Sequence, residues 1–372
     1  MTARGRALAI LTGLAVFVAG WVAFVSHWSG PVGQGIGVAG ARAADLDAFR
    51  DELLVWAPGG FSEREVGKVR DSTRVAAISA VRTGLLSAAG RRRHGVVPVE
   101  AMGVDVNAYT AAAGKPGRRL SAMLPKGAVL SKTGARLRRV KSGGKLKLDG
   151  NRTLKVSGVV DDALLGGYEV ALERNLARSY GIQRAAYLLV RPRGPVEGLQ
   201  KELRRRLSGR TLRFVTPGDR PYVRGGDGVL PLAQVKARFG EFALPSLRSG
   251  RPDPAWTRAN LVTRRLPILG RVRCHRRVVD DLGKAMAELQ DQGLRGLVDV
   301  GAFRRQGGCW SLRLLRDGRG GKLSRHAWGI AVELQVTPDE RVIRTMARHG
   351  FTWGGSFAHP DVTHFEWVGR GA

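Results

Sequence analysis

The sequence predicts an α+β protein in three parts. A mostly β extracytoplasmic region precedes a small antiparallel sheet backed by helices, and an apolar N-terminal helix stands before both. Three observations predict this. Short strand-like runs separated by Gly-rich turns fill the first half. Helical spacing and alternating strands share the last third. An uninterrupted uncharged run lies near the N-terminus.

Arg4 and Arg6 precede the run from Ala7 to Val25, which holds no ionisable residue. As a helix at about 1.5 Å per residue it spans roughly 28 Å, close to a bilayer core. Basic residues before it orient the following chain outward. Ala41-Arg42-Ala43 offers a small-residue cleavage site. Residues 1–43 therefore read as a signal peptide or membrane anchor with a Gly/Ala-rich linker.

Residues 44–220 form the β-rich region. Gly127–Leu130, Lys145–Leu148, Thr153–Val160 and Ala186–Val190 read as strands. Lys141-Ser142-Gly143-Gly144 and Asp149-Gly150-Asn151 read as turns between them. Arg191 to Arg213 holds eight basic and two acidic residues, which reads as a solvated helix face followed by a strand. The polar stretch Asp219 to Gly228 marks the boundary to residues 221–372.

In that last region, Val278, Val279, Leu282, Ala285, Met286 and Leu289 have helical spacing, and Gly293 is the stop. Thr337-Pro338-Asp339-Glu340 reads as a capping box opening a helix that runs to about His349. Gly329–Leu334 and His364–Val368 alternate as strands.

The net charge is +31, from 62 basic and 31 acidic residues. Such an excess calls for an anionic environment. No nucleic-acid motif accompanies it, and the leader places the chain outside the cytoplasm. An anionic cell wall or membrane surface is the expected partner, and nucleic acid is not. Cys274 and Cys309, an even pair in an exported chain, allow one disulfide or two separate buried thiols.

Chemistry concentrates near the C-terminus. In Ser324-Arg325-His326-Ala327-Trp328-Gly329-Ile330-Ala331-Val332-Glu333, the strand turns Ile330, Val332 and Leu334 to a core. Glu333 then shares the other face with the small Ala331. In Asp361-Val362-Thr363-His364-Phe365-Glu366-Trp367, His364 and Glu366 share a face, with Asp361 in the turn before them. Two histidines and a carboxylate suit a Zn2+ site with an open fourth position. Asp361 is placed to take a proton from water there.

These residues resemble the LAS metallopeptidases, zinc D-alanyl-D-alanine carboxypeptidases and L-alanyl-D-glutamate endopeptidases of bacterial walls. The family pattern S-x-H-x-x-G-x-A-x-D is matched by Ser324, His326, Gly329 and Ala331, and D-x-x-H by Asp361 and His364. The similarity extends upstream through Lys236–Phe242, Pro267–Gly270 and Cys274–Arg276. It implies peptidoglycan stem peptides as substrate, and His326, Glu333 and His364 as zinc ligands. It further implies Asp361 as general base and Arg313, with Arg316 as fallback, holding the substrate carbonyl or carboxylate. Ser324 and Glu366 would support the site, with Glu366 as the alternative base; His275 reads as a structural residue, with a supporting role as the alternative. The sequence departs from the family at Glu333, where the pattern has aspartate, and around Gln335, where asparagine is common.

The stretch from Ala128 to Val160 resembles the extracytoplasmic domain of lipoprotein-release-type ABC permeases, which implies a module for protein contacts. Lys132-Thr133-Gly134 and Ser142-Gly143-Gly144-Lys145 imitate serine-peptidase motifs in reversed order and read as turn chemistry.

Overall fold

In the computed structural model, residues 52–90, 95–215, 230–247, 251–313, 323–334, 339–357 and 360–369 are described. The leader with Arg4, Arg6 and Ala7–Val25, the Ala41-Arg42-Ala43 site and the boundary at Asp219–Gly228 lie outside them, as do Arg316 and Gln335. Among the described residues no helix is long and apolar enough to cross a membrane.

The first region runs β1 (Leu53–Phe61), α1 (Glu63–Arg70), β2 (Val75–Ala89), β3 (Val96–Val104), α2 (Val106–Ser121), β4 (Ala128–Ser131) and α3 (Lys132–Arg138). It continues β5 (Lys145–Lys147), β6 (Thr153–Val160), β7 (Val170–Glu173), α4 (Arg174–Ser179), β8 (Ala185–Pro192), α5 (Val196–Arg206) and β9 (Arg213–Val215). The nine strands form one mixed sheet in the order β5-β6-β4-β7-β3-β2-β8-β1-β9. The β3–β7 and β4–β6 pairs are parallel.

Helices are more prominent here than a mostly β region implies. Central strand β3 is buried at every position. Its Met102 and Val104 meet Tyr109, Ala112 and Leu120 of α2 on one face. Its Val99 and Ala101 meet Ala177 and Ile182 on the other. A strand covered on both faces reads as a continuous apolar run. Lys132-Thr133-Gly134 is the first turn of α3, capped by the Ser131 hydroxyl, and not a β-turn.

The second region runs α6 (Leu232–Phe239), α7 (Pro254–Asn260), β10 (Leu261–Leu266), β11 (Gly270–His275), α8 (Val279–Asp291), α9 (Val300–Arg305), β12 (Ala331–Glu333), α10 (Glu340–Arg348), β13 (Phe351–Trp353) and β14 (His364–Trp367). It holds a β10–β11 hairpin and an antiparallel β12-β14-β13 sheet. Leu282, Met286 and Leu289 of α8 and Val342 and Met346 of α10 share a core with Val332, Phe351 and Phe365 of the small sheet. Helix α10 starts later than the sequence suggests. Asp339 is its N-cap, accepting from the Arg341 amide, while Thr337 and Pro338 lie outside the described residues.

Both regions belong to one compact unit, Gly40–Arg370. Val96 and Leu244 exchange backbone hydrogen bonds of 2.7 and 2.8 Å. Beside them Lys236 is fully buried, its Nζ 2.6 Å from Glu169 Oε1 and also donating to the Pro98 carbonyl. Arg138 completes the group by pairing with Glu241 and, at 3.6 Å, with Glu169.

Candidate metal centre

The small sheet sets the site. In the β12–β14 ladder Glu333 stands directly opposite His364, and Ala331 opposite Glu366. Opposed residues share a face, with Cβ atoms about 5 Å apart. His326 comes from the 3₁₀ turn Arg325–Trp328, just before β12. Ser324 caps that turn by accepting from the His326 amide at 3.3 Å. Gly329 ends it at φ 66°, where a Cβ would lie 2.7 Å from the His275 nitrogen. Only glycine allows that approach. Gly354 is equally confined, since a Cβ there would meet the Asp361 carbonyl oxygen at 2.5 Å.

The donor atoms of His326, Glu333 and His364 all lie within 4.8 Å of one another. Oε1 of Glu333 is 3.2 Å from His326 Nε2 and 3.0 Å from His364 Nδ1. Burial would raise the Glu333 carboxyl pKa, but hydrogen bonds from the two imidazoles hold it far below the carboxylate range. For His364, burial is outweighed by the bond to Glu333 and by the charges of Glu333, Glu366 and Asp361, so its pKa is raised.

His326 shows why the cluster fits a cation. Its Nδ1 faces the Cys309 carbonyl oxygen at 3.2 Å, and its Nε2 faces Glu333 Oε1. Both partners only accept, and a neutral imidazole has one N–H. Burial depresses the pKa of this ring, against the Glu333 hydrogen bond, so protonation to satisfy both is disfavoured. A cation between Nε2 and Oε1 removes the conflict. His275 is the contrast. Its Nε2 faces the Phe239 carbonyl oxygen and its Nδ1 accepts from the Arg277 amide, so one neutral tautomer satisfies it. Burial pushes its pKa down to about 4, and it serves as a core residue behind Gly329.

Arg313 reaches the centre directly, and Asp361 through one intervening side chain. Arg313 Nη2 donates to Glu333 Oε1 at 2.9 Å, while Nη1 is held by the Gln306 carbonyl at 3.1 Å. Asp361 is exposed and linked to the cluster through Thr363, whose hydroxyl lies 2.7 Å from Glu333 Oε2 and 2.9 Å from Asp361 Oδ1. Sequence reasoning missed Thr363. Its only signal is a hydroxyl between two site residues. Glu366 is fully buried, with Oε1 3.4 Å from Arg325 Nε. Cys274 and Cys309 form a disulfide with Cα atoms 5.3 Å apart. It ties β11 to the segment whose Cys309 carbonyl orients His326.

Residues 317–367 match the family model of D-alanyl-D-alanine carboxypeptidases. The match takes in His326, Glu333, Asp361 and His364, and marks this region as peptidase-like. No curated protein matches the chain. Similar solved structures include the periplasmic region of MacB from Actinobacillus actinomycetemcomitans, at 11% identity and TM-score 0.33, covering 47% of this chain and 92% of that one. The extracellular domain of the noncanonic ABC-type transporter YknZ from Gram-positive bacteria has 14% identity and TM-score 0.32, over 44% and 99% of the two chains. A permease domain from Porphyromonas gingivalis has 15% identity and TM-score 0.29, over 45% and 89%.

Proposed function

We propose that the C-terminal region is a zinc-dependent peptidase that hydrolyses peptidoglycan stem peptides outside the cytoplasm. The observation that carries this reading is His326, whose two nitrogens face acceptors in a setting that disfavours its protonation. His326, Glu333 and His364 would hold the ion, and the family match over 317–367 supports zinc. Zinc supplies Lewis acidity toward a carbonyl and toward water.

This chain's residues do the rest. The Asp361 carboxylate, exposed beside the cluster, takes a proton from the attacking water and returns it to the leaving amine. The Thr363 amide donates to Oδ1 of that carboxylate at 3.3 Å, and its single hydroxyl proton is shared between Asp361 and Glu333. The Arg313 guanidinium, held by the Gln306 carbonyl and paired with Glu333 in this structure, would turn its Nη2 donors from Glu333 to a carbonyl or carboxylate of the substrate. The Cys309 carbonyl fixes the His326 ring so that Nε2 faces the centre.

One observation favours a second reading. Arg313 already places a cation 2.9 Å from the Glu333 oxygen that would ligate zinc. A degenerate, non-catalytic wall-binding or scaffold protein retaining the peptidase fold could use that ion pair in place of a metal. Metal analysis of the purified full chain, with stem-peptide digestion read by mass spectrometry, separates the two. The peptidase reading expects about one zinc per chain and new amine termini. Absence of both would abandon it for the second.

A further inference from the structure

The β10–β11 hairpin has two unlike faces. Directly opposed residues of an antiparallel ladder share a face. One face carries Val262, Leu266, Val272 and Cys274 into the core, with only Arg264, opposite Val272, exposed on it. On the other, beyond the buried Leu261–His275 pair and towards the turn, Thr263 stands opposite Arg273 and Arg265 opposite Arg271, all four exposed. Arg304 of α9 reaches the turn, where a Cβ on Gly270 would lie 3.2 Å from its Nη2. Arg273 is stacked 4.5 Å over the Trp310 ring.

Like charges directly opposed in a ladder cost stability. No ion pair among the described residues relieves Arg265, Arg271, Arg273 or Arg304. The nearby Asp299 is engaged by Arg305 at 3.8 Å. The arrangement is a row of guanidinium groups held by a disulfide-anchored hairpin, with no counter-charge among the described residues.

We propose that this face docks a linear polyanion of the cell envelope, a chain of alditols joined by phosphodiesters. Guanidinium forks take phosphate oxygens two at a time. Arginines two apart on a strand lie about 7 Å apart, close enough for one polymer chain to engage several. Other polyanions fit less well. Arg273 already covers the Trp310 face, so the strip offers no free ring on which nucleobases could stack. No exposed apolar side chain accompanies the arginines on this face, so nothing inserts into a bilayer.

The strip also adjoins the metal centre through the chain. Cys274 of β11 is bonded to Cys309, and Trp310 Nε1 donates to the carbonyl of Ala327, next to His326. Polymer held on the hairpin keeps the centre at the wall. The inference uses only the extracytoplasmic part of the proposed function, and catalysis can fail without affecting it.

The test uses the full chain with R265E/R271E and with the milder R265Q/R271Q. A charge-matched control, R118E/R119E, alters two exposed arginines of α2. The probe is immobilised poly(glycerol phosphate), titrated with salt. The hairpin variants should lose roughly tenfold or more in affinity, and their salt slope should fall by about 1.5. The control should stay near the parent, and the thermal midpoint of R265Q/R271Q should be no lower than the parent's, since the opposed like charges are removed. Equal losses in hairpin and control variants would overturn the proposal, because net charge would then explain binding. Unchanged binding in both hairpin variants would overturn it too. So would an equal dependence on Arg265 and Arg271 for single-stranded DNA or anionic vesicles.

Discussion

At the scale of single residues, Glu333 decides what the centre can do. Its Oε1 reaches both imidazoles and Arg313 at once, so the longer side chain is already accommodated by the backbone. Shortening it to aspartate withdraws the carboxylate by about 1.5 Å. E333D should therefore weaken zinc binding rather than restore it, and E333Q should weaken it by roughly 100-fold or more. Chelator competition measures both. A gain with E333D would mean the site is a decayed aspartate centre. Proton linkage gives a second prediction. The lowered Glu333 pKa adds stability present above its ordinary value of 4.5 and lost as pH falls through the folded value. The raised His364 pKa adds stability present below 6.5 and lost as pH rises through the folded value. The metal-free pair is thus firmest between these two ordinary values. Zinc needs His364 without its proton, so affinity should climb with pH until His364 is neutral. Calorimetry at pH 6.5 in two buffers of different ionisation enthalpy should show proton release. Identical heats would contradict it.

At the scale of elements, the disulfide joins fold to chemistry. It closes a separation of 35 residues, for which chain entropy gives about 4 kcal/mol of stabilisation. C274A/C309A should lower the denaturant midpoint accordingly. It should also weaken zinc binding by roughly tenfold, because the Cys309 carbonyl orients His326. A variant of lower stability with unchanged affinity would confine the bridge to packing. Much of this site was legible because β12 and β14 are short and alternate: Glu333 with Ala331, and His364 with Glu366, read directly as shared faces. Thr363 was not legible, since a turn threonine carries no signal of its partners. In the large sheet, Thr153–Val160 alternates, and its bounds are the same in sequence and structure. Val96–Val104 carries no strand signal in the sequence because burial on both faces erases alternation. In Val75–Ala89 the buried positions change phase along the strand, so no single period marks it.

At the scale of the whole molecule, buried charge joins the large-sheet region to the peptidase-like region. Lys236 reads in the sequence as one more lysine of a basic chain. Its partner Glu169 lies 67 residues away, and no local pattern reports such a pairing. Burial pushes the Lys236 pKa down, against the attraction of Glu169 and Glu241. Arg325 extends the same logic toward the centre, lying 3.9 Å from Glu100 of β3 and 3.4 Å from Glu366 of β14, while the residue after it is the ligand His326. Removing one partner of a buried pair leaves an uncompensated charge, at a cost of about 3–5 kcal/mol, whereas replacing the pair by apolar groups costs much less. K236M leaves Glu169 with Arg138 as its remaining partner, so it should destabilise the full chain by up to about that amount, and K236M/E169L by clearly less than the sum of the two single changes. Denaturant unfolding of the four proteins measures the coupling. Additive losses would mean that Lys236 and Glu169 are buried independently, and that the two regions are joined by apolar packing and the Val96–Leu244 bridge rather than by this charge pair.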